Sequence, residues 1–317
     1  MIEFEQVRKA YGGRVVIDAL SLRLKKGQIT VLVGPSGCGK STTLKMINRL
    51  EAHDAGTIRF AGQEIDRLPV EDLRRRMGYA IQSNGLFPHW TVAQNIATVP
   101  RLLRWDKARI HARVDELLDM LGMAPAQYRQ RYPHQLSGGQ QQRVGVARAM
   151  AADPEILLMD EPFGALDPVT RAAMQQELRR IHRLFGKTIL LITHDIDEAL
   201  TLADHLIVMQ HGAIAQQGRP IELLRAPVSA FVRDFLGGDD IGLKSLTLQT
   251  VATRMRPEPA HANVPCIDQD ASLRQAMAQF LGLGVAVLTV LSVKQPVGHL
   301  LFDDLLAPDA FAPPRAP

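Results

Sequence analysis

The stretch Gly34-Pro35-Ser36-Gly37-Cys38-Gly39-Lys40-Ser41 decides the fold. It fits G-x-x-x-x-G-K-[ST], the loop that wraps nucleotide phosphates. The apolar run Ile29 to Val33 precedes it and reads as a buried strand, and the helix-compatible run Thr42 to Leu50 follows it. Strand, loop and helix in that order are the context that separates this motif from a chance match. Glycines let the backbone bend so that successive N–H groups point at phosphate oxygens. The start of the helix adds free N–H groups and a positive dipole end. In such a loop Lys40 would reach the β- and γ-phosphates and Ser41 would hold Mg²⁺.

Working outward, Leu136-Ser137-Gly138-Gly139-Gln140 precedes an amphipathic run, Gln141 to Ala151. Its glycines and serine offer backbone and hydroxyl donors at a helix N-terminus; taken alone, it reads equally well as an ordinary helix cap. Ile156-Leu157-Leu158-Met159-Asp160-Glu161 is an apolar strand ending in two acids. In a nucleotide site Asp160 would lie near the metal and Glu161 could polarise an attacking water. The plain alternative is a strand followed by solvated acids.

In kind and in order, these motifs resemble the ATP-binding subunits of ABC transporters. The resemblance covers residues 1–240 and implies a role for each matching position. Tyr11 is the aromatic residue that stacks on adenine. The Walker A loop, Gly34, Pro35, Ser36, Gly37, Cys38, Gly39, Lys40, Ser41 and Thr42, binds the phosphates. Gln82 is the Q-loop glutamine, a third metal-site residue beside Ser41 and Asp160. Ser137, Gly138, Gly139 and Gln140 belong to the signature and face the ATP of a second, antiparallel copy. Ile156 to Asp160 is Walker B, Ala165-Leu166-Asp167 is the D-loop, with Asp167 at the nucleotide site, and His194 is the switch histidine. A histidine closing an apolar strand is often a core residue. Here Asp195 follows it, and the strand Thr188 to Thr193 repeats the Walker B pattern. The implied catalytic residues are Glu161, His194 and Gln82, and the implied cofactors are ATP and Mg²⁺.

Three further strings resemble bacterial osmoprotectant importers, which take up glycine betaine, choline, carnitine or related quaternary ammonium compounds. They are Met46 to Leu50, Tyr79 to Pro88 and Gly164 to Arg171. The implied partners are a second ATPase subunit in a homodimer with shared ATP sites, transmembrane permease subunits, and a periplasmic or extracellular solute-binding protein. The implied location is the cytoplasmic face of the plasma (inner) membrane, as a peripheral subunit. The ATPase does not touch the transported solute, so nothing in these residues names it. An importer ATPase for another small solute stays open, as does a soluble ABC ATPase. The latter class carries a long coiled coil or two ATPase domains in one chain, and one Walker A and one signature occur here.

Composition agrees. In 317 residues, 46% are hydrophobic and 22% charged, which fits a globular chain of one large and one small domain. No apolar run approaches the roughly 18 residues of a membrane span, and the first residues do not form a signal peptide. Cys38 lies within the phosphate loop, so it and Cys266 do not read as a disulfide, and the compartment reads as reducing. The net charge of +4 is scattered, and no nucleic-acid partner is expected.

The expected fold is therefore α/β: a P-loop NTPase domain of the ABC ATPase type, with a parallel-sheet core, an antiparallel β subdomain and a helical subdomain over residues 87–150. In that subdomain Ile110, Val114, Leu117, Leu118 and Leu121 recur at helical spacing as a core stripe, closed by Gly122. Phe87 and Trp90 read either as part of an exposed docking groove or as buried lobe residues. The cluster Gly237-Gly238-Asp239-Asp240 marks a boundary. Residues 245–306 read as β-α-β-β-α, with Val251 to Met255 as the first strand, and resemble a single, small α+β CBS-like repeat; residues 307–317 form a disordered tail. Such a unit alone would also admit a regulatory adenylate-binding protein, but that leaves Glu161 and the signature unexplained. Between Lys244 and Leu306 five basic residues (Lys244, Arg254, Arg256, Arg274, Lys294) face five acids (Glu258, Asp268, Asp270, Asp303, Asp304).

Overall fold

The runs Ile29–Val33 and Thr188–Ile192 are buried along their whole length. A strand that is apolar at consecutive positions must be covered on both faces, which is the habit of a parallel sheet layered with helices. The computed structural model bears this out; it describes residues 1–80, 85–164, 166–258, 264–293 and 295–305. Two units form, Met1–Gln217 and Gly218–Pro317.

The strands of the first unit are β1 (Ile2–Tyr11), β2 (Arg14–Leu24), β3 (Ile29–Val33), β4 (Ala55–Phe60), β5 (Gln63–Glu64), β6 (Met77–Ala80), β7 (Ile156–Asp160), β8 (Thr188–Ile192), β9 (His205–Gln210) and β10 (Ala213–Gly218). They make a six-stranded sheet in the order β10-β9-β3-β8-β7-β6 and a four-stranded sheet in the order β2-β1-β4-β5. In the larger sheet β9, β3, β8, β7 and β6 run parallel, with Leu32 opposite Ile192, Asp160 opposite Ile192 and Ala80 opposite Met159. Parallel strands bring their carboxyl ends to one edge. The chain segments that follow Val33, Asp160 and Ile192 therefore leave the sheet side by side, where open α/β sheets place their ligands.

The smaller sheet is antiparallel throughout. Its inward residues Ile2, Phe4, Val7, Ile58 and Phe60 share one buried cluster with Leu44, Met46 and Ile47 of the helix Lys40–Ile47 and with Leu158, Leu190 and Ile192 of the larger sheet. The helix after the phosphate loop is thus fixed by the core that joins both sheets.

Between β6 and β7 lie the helices Val92–Ile96, Thr98–Leu102, Lys107–Met120, Pro125–Tyr128 and Gly138–Met150. The stripe Ile110, Val114, Leu117, Leu118 and Leu121 is buried, as its spacing predicts. Buried Asn95 organises the lobe's entrance: its Nδ2 donates to the carbonyls of Phe87, Trp90 and Thr91, and its Oδ1 accepts from Phe87 N.

The second unit contains the helices Pro220–Arg225, Ala230–Leu236 and Ile241–Thr247, of which the sequence reading groups residues up to 240 with the ATPase domain. Its three-stranded sheet runs in the order β11 (Cys266–Asp268), β12 (Val287–Ser292), β13 (Gln295–Leu301), the first pair parallel and the second antiparallel. With the helix Leu273–Leu283 it encloses Leu246, Val251, Ile267, Phe280, Val290 and Leu300. The expected strand Val251 to Met255 is instead a single 3-10 turn, Val251–Thr253. Thr253 donates from both its backbone N and its hydroxyl to Thr250 O, and this local pairing competes with strand formation. The expected tail, 307–317, lies outside the described residues. Cys38 and Cys266 are both free.

Candidate functional site

The phosphate loop is shaped by two glycines that nothing else can replace. A Cβ on Gly34 would sit 2.4 Å from Met209 O and 2.7 Å from Cys38 Sγ. Gly39 adopts φ +105, and a Cβ there would meet Ile17 Cδ1 at 2.3 Å. Gly39 is also the N-cap of the helix Lys40–Ile47 and brings no side-chain cap, so the first helical N–H groups face the loop uncapped. The helix begins at Lys40, two residues earlier than the sequence reading starts it. Lys40 is buried, and its Nζ donates to Gly34 O at 2.7 Å and Pro35 O at 3.0 Å. Burial pushes the Cys38 thiol upward, against the nearby Lys40 charge, which keeps it protonated.

Asp160 ends β7, and Ser41 Oγ donates to its Oδ1 at 3.3 Å. Burial, and secondarily the charge of Glu161, raises the Asp160 carboxyl above the usual range; Ser41, Lys45 and Lys40 oppose this. Glu161 turns sharply at φ +46, a left-handed conformation that costs a non-glycine residue strain and is concentrated at functional sites. Its N donates to Ile192 O at 2.9 Å, so the turn is locked to the end of β8. The turn aims the side chain at the next loop: Glu161 Oε2 lies 3.2 Å from His194 Nδ1. Among the described residues no cluster of three or more His, Cys, Asp or Glu side chains could hold a metal alone. The oxygens of Ser41 and Asp160 are the donor pair available, and a hard cation takes such oxygens.

The remaining expected residues divide. Ser137 and Gln140 form a reciprocal capping box: Ser137 Oγ accepts from Gln140 N at 3.3 Å, and Gln140 Oε1 accepts from Ser137 N at 3.0 Å. Gly139 packs tightly, since a Cβ would meet Thr170 Cγ2 at 2.5 Å, whereas Gly138 faces open space. Asp167 caps the helix Pro168–Phe185, accepting from Val169 N and Thr170 N, and the Thr170 side chain, followed by these amides, holds its carboxyl below the usual range. Tyr11 is exposed, with Lys9 Nζ 5.0 Å from its ring centre. Gln82 lies outside the described residues. Phe87 and Trp90 are 45% and 37% exposed with ring centres 4.5 Å apart, so the reading that buries them in the lobe does not hold.

Tyr79, the first residue of the string Tyr79 to Pro88, lies on β6 and had no expected role in the site. Its phenol is pushed up to about 12 by burial and by the charge of Asp160. A tyrosine in an apolar strand carries no local signal; only the pairing of β6 with β7 brings it within range of Asp160.

Residues 17–164 match the family model described as ABC transporter. The chain is 58% identical, over 96% of its length and 99% of the relative's, to the glycine betaine uptake system ATP-binding protein YehX of Escherichia coli (strain K12). It is 45% identical to the glycine betaine/carnitine/choline transport ATP-binding protein OpuCA of Bacillus subtilis (strain 168), over 87% of this chain and 72% of the relative. Among solved structures it resembles the ATP-binding cassette MJ0796, a dimer in a post-hydrolysis state bound to ADP and Pi, with TM-score 0.62, 30% identity, and 69% and 99% of the two chains covered. No helix among the described residues is long and apolar enough to cross a membrane.

Proposed function

This chain belongs to the ATP-hydrolysing ATP-binding subunits of the ABC transporter family, and from that premise we propose that it powers a bacterial importer of glycine betaine or related quaternary ammonium osmoprotectants. The solute class rests on likeness to the uptake and transport proteins described above. The observation that carries the catalytic reading is the contact of Glu161 Oε2 with His194 Nδ1 at the edge where Asp160, Ser41 and Lys40 also emerge.

In the proposed reaction ATP lies on the loop Gly34 to Thr42 with Tyr11 against adenine. Lys40 exchanges its bonds to Gly34 O and Pro35 O for phosphate oxygens. Glu161 accepts a proton from the water that attacks the γ-phosphorus, the bond to the bridging β–γ oxygen breaks, and ADP and phosphate leave. His194 orients the Glu161 carboxylate and the γ-phosphate. Ser41 and Asp160, with Gln82, are the residues that would hold Mg²⁺. Bound there, the ion neutralises charge on the β- and γ-phosphates.

Ser137 to Gln140 and Asp167 act on the ATP of a second, antiparallel subunit, so that two ATP molecules close the dimer and hydrolysis opens it. The exposed Phe87 and Trp90 meet helices of a transmembrane permease, and a solute-binding protein completes the importer. The chain then sits peripherally on the cytoplasmic face of the membrane. Residues 245–306 serve as a single CBS-like repeat that pairs with its counterpart in the second subunit. Glu161→Gln tests the catalytic assignment, since it keeps the shape and removes the base. Turnover is expected to fall by roughly 10²-fold or more with nucleotide binding retained and an ATP-bound dimer trapped; near-normal turnover would overturn the role.

A further inference from the structure

Next to the Glu161–His194 pair is a group of charged side chains that the proposed chemistry does not use. Arg171 belongs to the helix Pro168–Phe185. Its Nη1 donates to Asp195 Oδ2 at 3.1 Å and its Nη2 to Leu166 O at 3.1 Å. One guanidinium therefore spans two loops distant in sequence, one leading to Asp167 and one carrying His194. Both ends are anchored. Asp167 is bonded to the amides of Val169 and Thr170. Asp195 uses its second oxygen, Oδ1, to accept from Glu198 N at 3.0 Å, and its own N donates to Thr193 Oγ1 at 3.0 Å.

A second observation distinguishes this cluster from a plain helix cap. Arg171 Nε and Glu198 Oε1 are both buried without a hydrogen-bond partner among the described residues. A folded protein leaves few such atoms, and each one calls for an explanation. Here an unmatched donor and an unmatched acceptor occupy one cluster, and the charges of Arg171 and of Glu161 both act on Glu198.

We propose that Arg171 is a positioning residue that ties the Leu166–Asp167 loop to the His194–Asp195 loop, so that the placement of His194 against Glu161 follows the position of the Asp167 loop. The guanidinium suits this task because its fork is planar and rigid and fixes both acceptors at once, whereas a lysine ammonium is a point donor on a flexible stem. The inference rests on the ATPase reading.

The test uses the full chain with Arg171→Ala and Arg171→Lys, measured two ways. In amide hydrogen exchange, Arg171→Ala is expected to speed exchange at Asp195 and Glu198 and leave Gly39 to Thr43 unchanged. In steady-state hydrolysis, kcat is expected to fall about tenfold or more with KM for ATP unchanged. Arg171→Lys is expected to fall between wild type and Arg171→Ala in both, and it carries the test if the alanine variant does not fold. Wild-type exchange at Asp195 and Glu198, a wild-type kcat, or a rise in KM alone overturns the tie, as does a lysine variant equal to wild type in both readouts. If the wild-type chain hydrolyses no ATP, the ATPase reading fails, and the exchange measurement still decides the tie.

Discussion

Glu198 shows at the scale of one residue how strongly this site departs from solvent. It is 4% exposed, and burial, followed by the charge of Asp195, pushes its carboxyl up to about 8 from the ordinary 4.5, with Thr193 and Arg171 opposing and Glu161 adding to the rise. Below pH 4.5 the group is protonated in both the folded and unfolded chain, and the stability it contributes is fully present. Between 4.5 and about 8 the folded chain keeps a proton that the unfolded chain releases, so that stability is lost as pH rises. Glu198→Gln removes this dependence. Its melting temperature relative to wild type is expected to rise from pH 5 to pH 9, by an amount reflecting a few kcal/mol in order of magnitude. Parallel melting curves across that range would show that Glu198 ionises normally in the fold.

At the scale of the element, the helix Gly138–Met150 is informative because its start carries two duties. The capping box of Ser137 and Gln140 closes it structurally, while the proposed function aims the same residues at a second subunit's ATP. The two duties separate by substitution. Ser137→Ala loses the side-chain cap and is expected to cost about 1 kcal/mol of stability. Ser137→Arg introduces a bulky cation on the γ-phosphate face, while the phosphate loop of the same chain is untouched. It is expected to retain ATP binding by the isolated chain and to lose ATP-driven dimerisation and hydrolysis. Light scattering that shows a normal ATP-bound dimer for Ser137→Arg would rule out the antiparallel shared site.

For the whole molecule, the question is what the second unit contributes. A switch that senses ionic strength through an anionic membrane would need clustered Lys and Arg. Between Lys244 and Leu306 basic and acidic residues balance at five each, and Arg256 is spent on a two-pronged pair with Asp304. The exposed surface at the end of the helix Leu273–Leu283 is apolar, with Leu281 and Leu283 facing outward. That surface suits contact between protein chains better than contact with lipid headgroups. Salt gating through this unit is therefore expected to be weak or absent. Transport in reconstituted vesicles with internal salt varied, comparing the full chain with one ending at Gly242, is the measurement, and a steep salt activation that vanishes on truncation would make the unit an osmotic switch instead.

What the sequence determined by itself was local or ordered along the chain. Gly34 to Ser41 named a phosphate loop between a strand and a helix, because the order of glycines, Lys40 and Ser41 between the apolar run Ile29 to Val33 and a helix-compatible run is carried by neighbouring residues, while the approach of Met209 O to Gly34 came only with the fold. The stripe Ile110 to Leu121 named its own buried face through helical spacing. The run Val251 to Met255 marks the limit of that reading, since its apolar and β-branched residues suggest a strand while the Thr250 and Thr253 bonds close a turn. Tertiary structure decided which distant residues meet. The order β9-β3-β8-β7-β6 interleaves strands far apart in sequence, and their parallel register sets Glu161 against His194, Ser41 against Asp160 and Tyr79 within range of Asp160. The link from Leu166 through Arg171 to Asp195 has the same origin. Motif order names the parts of the site, but β3, β7 and β8 are buried on both faces, so no alternation along them marks a register, and pairing across the whole sheet sets it.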